Sequence, residues 1–95
     1  MKDRPLEQPA ARLPYRPTPN RANNHRWDEI GGYVISTIRL PVSIAVAVDA
    51  SYETLVYALV DGRWDADGSG VQSESEAEAD AAHAAARDRI RGRIV

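Results

Sequence analysis

Cysteine and phenylalanine are absent from this chain of 95 residues, and methionine occurs once. Without cysteine, neither a disulfide framework nor a thiolate metal site can form, and a reducing cytoplasm suits such a chain. Long apolar runs are also missing: the longest, Val42 to Val48, is interrupted by Ser43 and is too short to cross a bilayer. The N-terminal region contains no apolar core of a signal peptide. We therefore expect a soluble, intracellular protein with no membrane partner.

The size of the chain limits the core that it can build. The first quarter is polar, which leaves roughly 70 residues for a folded domain, and at that size burial alone yields only a few kcal/mol. Domains this small often depend on a partner, a metal or a second copy. We therefore expect docking on another protein, or association into a homo-oligomer.

The net charge of −2 conceals an uneven distribution of charge along the chain. Residues 1–27 contain six basic and two acidic side chains, whereas residues 49–80 contain nine acidic side chains and one basic. The last nine residues contain four arginines and one aspartate. The order is therefore basic, acidic, basic.

The proline-rich start of the chain predicts an arm. Five of the six prolines lie in the first 19 residues, where each removes a backbone donor and disfavours helix in its predecessor. We predict an extended or disordered basic arm over residues 1–27 and a folded domain over residues 28–95. The arm is either a solubilising leader or a segment that lies along an acidic partner. In the second case its anchors would be large aromatic and arginine side chains: Arg12, Tyr15, Arg16 and Trp27.

Alternating apolar residues predict three strands after the arm. The segment Gly31–Leu40 is rich in β-branched residues and ends at Pro41; Val42–Asp49 alternates cleanly; and Tyr52–Val60 is apolar on both faces in its middle, as a central strand requires. A helix over Glu53–Val60 is the alternative for the third segment, because short apolar runs are ambiguous in period.

A C-terminal helix has the clearest signals. Ser73 and Ser75 are each followed three residues later by a glutamate, Glu76 or Glu78, which is the spacing of a capping box. Acids fill the first turns and arginines the last, in agreement with the helix dipole. A stripe at helical spacing would face the sheet: Ala79, His83, Ala86, Ile90 and Ile94. The predicted fold is α+β, a three-stranded antiparallel sheet packed by one C-terminal helix and preceded by an extended arm rich in proline and arginine.

The loop DADGSGVQSESE, residues 65–76, has the spacing of a calcium-binding loop. The oxygen ligands would come from Asp65, Asp67, Ser69, the Val71 carbonyl, Ser73 and Glu76. Against calcium, Gln72 stands where an apolar residue normally pairs with a sister loop, no second loop exists, and the preceding segment is predicted to be a strand. The alternative is a polar connector whose acids start the helix. We favour the connector, commit to no metal or cofactor, and keep a weak single-loop calcium site as the alternative.

Three fragments together resemble a known family: VISTIRL at 34–40, YETLVY at 52–57 and SESEAEADAAHAA at 73–85. They are similar to small proteins encoded by bacteriophages and prophages, whose pattern runs S-T-x-x-L, then Y/F-E-T-M-V-F, then a helix with alanine and a histidine. Leu55 stands where the family usually has methionine, and Ala82 where glycine often precedes the histidine. The resemblance covers residues 34–90 and implies a phage or prophage origin, with no assigned activity. The family's recurrent polar residues would be Ser36, Thr37, Glu53, Thr54 and His83.

Signals for catalysis are weak in this sequence. Ser36, His83 and Glu53 could form a nucleophile, base and acid, but nothing in their spacing requires it. A histidine on an alanine-rich helix face is more often a hydrogen-bonded core residue than a catalyst. No phosphate-binding glycine loop occurs, and the acidic middle segment argues against direct binding of nucleic acid. We therefore predict a protein that is not an enzyme.

The charge distribution and the resemblance together predict a binding module. We expect a phage or prophage protein, located in the cytoplasm of the bacterial host or in the virion, that binds another protein. One version is a host-directed modulator or inhibitor with an acidic surface that steers the encounter. Its surface residues would be Asp61, Asp65, Asp67, Glu74 and Glu76. The other is a virion-associated accessory protein whose N-terminal arm binds neighbouring subunits.

Overall fold

One antiparallel sheet organises the part of the chain that the computed structural model describes, residues 12–13, 15–20, 22–68 and 70–94. Within these residues, six strands and two helices follow in the order β1 (Arg12–Leu13), β2 (Asn24–Ile30), β3 (Tyr33–Arg39), α1 (Val42–Val48), β4 (Tyr52–Val60), β5 (Arg63–Ala66), β6 (Val71–Ser73) and α2 (Glu76–Ile94). The sheet order is β1-β5-β4-β3-β2, and β6 pairs with the first residues of β4. The predicted α+β class is confirmed, with six strands in place of three.

Two tight turns connect the hairpins of this sheet. Gly31 and Gly32 join β2 to β3, with Gly31 at φ +57°. Asp61 and Gly62 join β4 to β5 with φ values of +51° and +77°, as a type I′ turn requires of both central residues. Both dipeptides are recognised signals for two-residue hairpin loops, and the second one places β5 where a polar loop was predicted.

The segment Val42–Val48 is a helix, and its prediction as a strand is wrong. β3 pairs directly with β4 from Tyr33↔Ala58 to Arg39↔Tyr52, and the Leu40 N–H donates to the Ser51 carbonyl over 2.8 Å. No edge of that hairpin is left for the residues between them, so their backbone groups bond within α1 instead. Asp49 ends the helix in the left-handed conformation, at φ +56°.

The boundary placed between an arm and a domain after residue 27 is also wrong. β2 begins at Asn24 and pairs with β3 along its length, and β1 at Arg12–Leu13 pairs with β5. Most β2 residues are polar, so no apolar alternation predicts a strand there. Backbone hydrogen bonds to β3, rather than an apolar face, hold this edge strand in the sheet. Residues 1–11, 14 and 21 lie outside the described residues, so the prediction for that part of the arm stays a prediction.

Helix α2 covers one face of the sheet, as its stripe predicted. Ala79, His83, Ala86 and Ile90 are buried, and Ile90 and Ala86 form a core cluster with Ile35 and Val56. Ile94, the predicted end of the stripe, is 49% exposed. In the described part of the chain, neither helix is long and apolar enough to cross a membrane.

The predicted capping box starts α2 with Ser75 as the capping residue. The Glu78 N–H donates to Ser75 Oγ over 3.2 Å, and the Ser75 N–H donates to the Glu78 carboxylate over 3.3 Å. The Glu74 N–H also donates to that carboxylate, over 3.0 Å. These bonds satisfy backbone donors that lack a partner within the helix.

The opposite face of the sheet carries Val34 and Trp64, which are 0% and 6% exposed. Residues 15–20 lie against this face. Pro17 is buried, the Arg16 guanidinium lies 5.5 Å from the centre of the Trp64 ring, and Arg16 also pairs with Glu29 of β2 over 3.0 Å. The proline-rich segment thus connects β1, at one edge of the sheet, to β2 at the other.

Candidate functional site

A chain of buried polar side chains lies between α2 and the sheet. The hydroxyls of Thr54 and Thr37 are 2.6 Å apart, Thr37 Oγ1 is 2.8 Å from His83 Nδ1, and His83 Nε2 is 2.8 Å from Asp28 Oδ2. The Arg87 guanidinium lies 3.8 Å from the same carboxylate oxygen. Four elements contribute to this chain, because β2, β3 and β4 are neighbours in the sheet and α2 crosses them.

One hydrogen bond of this chain has a fixed direction. A carboxylate only accepts, so His83 Nε2 donates its proton to Asp28. Toward Thr37, Nδ1 accepts in the neutral imidazole and donates in the protonated ring, and either threonine hydroxyl can donate to the other. The order resembles nucleophile, base and acid, but Thr37, Thr54 and His83 are 0%, 3% and 2% exposed. A substrate cannot reach a hydroxyl that is shielded in this way, so the arrangement orders the core, and the prediction of His83 as a hydrogen-bonded core histidine is confirmed.

The catalytic grouping considered from the sequence does not assemble. His83 bonds to Thr37 and Asp28, whereas Ser36 and Glu53 point to the other face of the sheet, since side chains alternate along β3 and β4. Asp28 was not among the predicted site residues. Its partner His83 is 55 residues away in the sequence, so no local pattern connects the two.

A second polar cluster lies at the surface, where β2 meets the start of α2. Asp80 Oδ1 accepts from Arg26 Nε over 2.7 Å and lies 2.8 Å from His25 Nε2. The bond from Arg26, followed by that from His25, lowers the pKa of Asp80 to about 2, and Asp80 raises the pKa of Arg26. Glu76, one turn before Asp80, completes a group with His25 and Asp80 in which one possible ligand atom from each lies within 4.8 Å of the others.

Helix α1 carries four of the large apolar side chains that are exposed among the described residues. None of its seven residues, all of them described, is buried, and Val42 and Val46 are 80% and 77% exposed. Ile44 and Val48 are 48% and 39% exposed. Beneath the helix is an open groove of about 500 Å³. Its wall includes Arg39, Leu40, Ala45, Val46, Asp49 and Glu74.

The acidic residues predicted to form one surface are divided. Asp61 follows the last residue of β4, whereas Glu74 follows Ser73, which pairs with the first residue of β4. A nine-residue strand spans roughly 26 Å, so these two carboxylates lie at opposite ends of the sheet. Asp67 forms an ion pair with Arg93, which offsets its charge. The single acidic surface predicted from the sequence is therefore wrong.

The predicted anchors of the arm are partly engaged within the protein. Arg16 contacts Trp64 and Glu29, and the Trp27 indole N–H donates to Glu29 over 3.0 Å. Tyr15 is 65% exposed. Arg12 belongs to β1, and its side chain lies outside what the structure describes.

The predicted calcium ligands are not brought together in the described part of the chain. Asp65 and Val71 belong to extended strands, β5 and β6, which cannot curl around one ion. Asp67 pairs with Arg93 on α2, and Glu76 lies beside His25. Ser69 lies outside the described residues. The capping part of the connector interpretation is confirmed at Ser75 and Glu78, whereas residues 65–66 and 71–73 of that connector are strand residues.

The arrangement defines a small α+β protein with a covered polar core and one uncovered apolar helix. Comparisons with protein-family models, with curated proteins and with solved structures gave no match for this chain.

Proposed function

We propose that the protein is a non-enzymatic binding module that docks on another protein through α1. The observation that supports it best is the exposure of Val42, Ile44, Val46 and Val48 on one short helix. Val42 and Val46 lie one turn apart on one side of α1, and Ile44 and Val48 lie one turn apart on the other, so the helix exposes apolar side chains on both sides. Isolated exposed apolar residues are normal, but their concentration on one short helix favours an interaction surface. An apolar helix laid into a groove is a recurrent mode of recognition between proteins.

The rim of the α1 surface favours a partner with positive charge around an apolar groove. Asp49 and Glu74 are both exposed beside the helix. Arg39 is nearby, but its guanidinium donates to the Tyr52 hydroxyl over 3.0 Å and lies over that ring. Arg39 keeps its positive charge, so the two carboxylates leave an excess of one negative charge at this rim, which lysine or arginine side chains on the partner would complement.

The partner that we propose is a protein of the bacterial host. This follows from the resemblance to phage and prophage proteins, which motivates a host-directed modulator. A virion role for the arm is less supported, because Arg16 and Trp27 are engaged with Trp64 and Glu29. Catalysis is disfavoured because the hydroxyls beside His83 are buried.

The test compares two matched charge insertions. Val46→Asp places a carboxylate in the centre of the α1 surface, and Leu59→Asp places one on an equally apolar site, 49% exposed, near the far end of β4. Each variant and the original chain would be used to purify partners from host cells, and the affinity for a shared partner would be measured by calorimetry. We expect at least a tenfold loss for Val46→Asp and less than a twofold change for Leu59→Asp.

Three outcomes would contradict this proposal. Equal losses in both variants would show that α1 is not the docking surface. A dimer of the original chain in sedimentation analysis that Val46→Asp dissociates would assign α1 to a second copy. Binding to neutral lipid vesicles that the same substitution abolishes would assign it to a membrane surface.

A further inference from the structure

We propose that His25, Glu76 and Asp80 form a binding site for a divalent transition-metal ion of the zinc type. The inference is independent of the docking function and concerns a different part of the surface, the junction of β2 with the first turns of α2. It rests on the ligand geometry, the donor chemistry and the charge around Arg26.

The three ligands come from two elements that the fold already holds together. Glu76 and Asp80 are four residues apart and therefore lie on the same side of α2, and His25 reaches them from β2. Their ligand atoms lie within 4.8 Å of one another, and His25 Nε2 is 2.8 Å from Asp80 Oδ1. Zinc bonds of about 2.0–2.2 Å to nitrogen and oxygen need ligand separations of about 3–4 Å. Rotation of the exposed Glu76 side chain closes the remaining distance.

The position of the His25 ring is fixed before any ion arrives. Its centre lies 5.1 Å from that of the Tyr52 ring at a tilt of 53°, and its Nε2 already lies 2.8 Å from Asp80 Oδ1 on α2. An outer contact of this kind orients a ligand and lowers the entropy lost on binding. The imidazole nitrogen also selects the class of metal, since calcium and magnesium prefer sites made only of oxygen.

The Arg26 guanidinium supplies positive charge beside Asp80, where the metal ion would bind. Three carboxylates act on this guanidinium, those of Asp80, Glu76 and Asp28. Arg26 and Arg87, the latter 3.8 Å from the Asp28 carboxylate, supply two positive charges against these three negative charges. When Arg26 turns away, Arg87 alone faces the three carboxylates, and a divalent ion offsets the remaining excess of negative charge. The Arg26 side chain is 53% exposed, so it can turn into solvent and release Asp80. Binding of the metal ion would therefore displace the Arg26 guanidinium from Asp80.

This competition gives the proposal a distinctive test. Zinc would be titrated into the full untagged chain by calorimetry, and cobalt would be used to record the absorption spectrum of the bound ion. We expect one ion per chain, at least a tenfold loss of affinity in His25→Ala, and a gain of threefold or more in Arg26→Gln, which removes the competing cation. Circular dichroism of each variant would establish that the fold is retained.

Glu74→Gln is the matched control, because it removes a carboxylate from the same helix start without touching the three ligands. We expect it to change zinc affinity by less than twofold. An equal loss in Glu74→Gln and His25→Ala would show general attraction of cations to an acidic helix start and overturn the site. Unchanged binding in His25→Ala, no binding by the original chain, or weaker binding in Arg26→Gln would also overturn it.

Discussion

In the two helices of the described part of the chain, burial does not follow apolar content. Helix α1 is made of valine, isoleucine, alanine and one serine, yet none of its residues is buried. Helix α2 has eight charged residues among nineteen, yet it covers the core through Ala79, His83, Ala86 and Ile90. The difference shows that the position of a segment in the topology, rather than its apolar content, decides what it buries. α1 lies between two strands that pair directly, whereas α2 follows the complete sheet.

The largest expected effect compares one isoleucine from each helix. Ile90→Ala should lower the free energy of unfolding by about 2–5 kcal/mol, because Ile90 is fully buried and its loss leaves a cavity beside Ile35 and Val56. Ile44→Ala in α1 should change it by less than about 0.5 kcal/mol. Urea denaturation of both variants measures the difference. Equal losses would show that α1 is packed in solution.

The next largest effect concerns the polar chain beneath α2. Thr37→Val should cost about 1–3 kcal/mol, because it leaves the buried His83 Nδ1 without its hydrogen-bond partner. Thr54→Val should cost about 1 kcal/mol, since Thr37 keeps its bond to His83. Denaturation gives the two costs, and nitrogen NMR shifts of the His83 ring should move more in Thr37→Val. A larger cost for Thr54→Val would contradict the central place of Thr37 in the chain of hydrogen bonds.

The starts of the two helices also differ. Ser75→Ala should cost about 1 kcal/mol, because the Ser75 hydroxyl caps α2 by accepting from the Glu78 N–H. α1 has Pro41 at its cap position and no side-chain cap bond there. Ser43→Ala in α1 should therefore have an effect within about 0.5 kcal/mol. Thermal unfolding of the Ser75→Ala and Ser43→Ala variants measures the two effects. An unchanged free energy of unfolding in Ser75→Ala would show that the capping box does not determine where α2 begins.

The smallest expected effect is a gain in stability. Gly92 lies within α2, and a Cβ atom added there would meet nothing within 4 Å. Gly92→Ala should raise the free energy of unfolding by about 0.5–1 kcal/mol. Gly31→Ala should instead destabilise, because Gly31 has φ +57° and its Cβ would lie 3.2 Å from Ile94 Cδ1. A loss of stability in Gly92→Ala would indicate strain in the last turns of α2.

Local patterns predicted those elements whose signals lie within a few residues. Period-two alternation located β3 and β4, and the serine–glutamate spacing located the start of α2. The dipeptides Gly31–Gly32 and Asp61–Gly62 carried the signal for two further hairpins. The same alternation was misleading over Val42–Val48, because valine and alanine at every second position are also compatible with a short helix.

The sites depended on contacts that no local pattern contains. Asp28 reaches His83 across 55 residues, and His25 reaches Asp80 across the same separation. The four-residue spacing of Glu76 and Asp80 was visible in the sequence, but their third partner depended on the position of β2. Because β2 was predicted as arm, His25 could not be placed beside α2.

The insertion of α1 between paired strands separates the proposed docking surface from the folded core. The chain leaves the sheet after Leu40 and returns at Ser51, where the backbone of the two residues is already joined by a hydrogen bond of 2.8 Å. Closing a loop of a few more or fewer residues changes its entropy only slightly. Mutation can therefore lengthen, shorten or replace this protrusion while the sheet and α2 stay unchanged, so the proposed docking surface can diverge faster than the architecture.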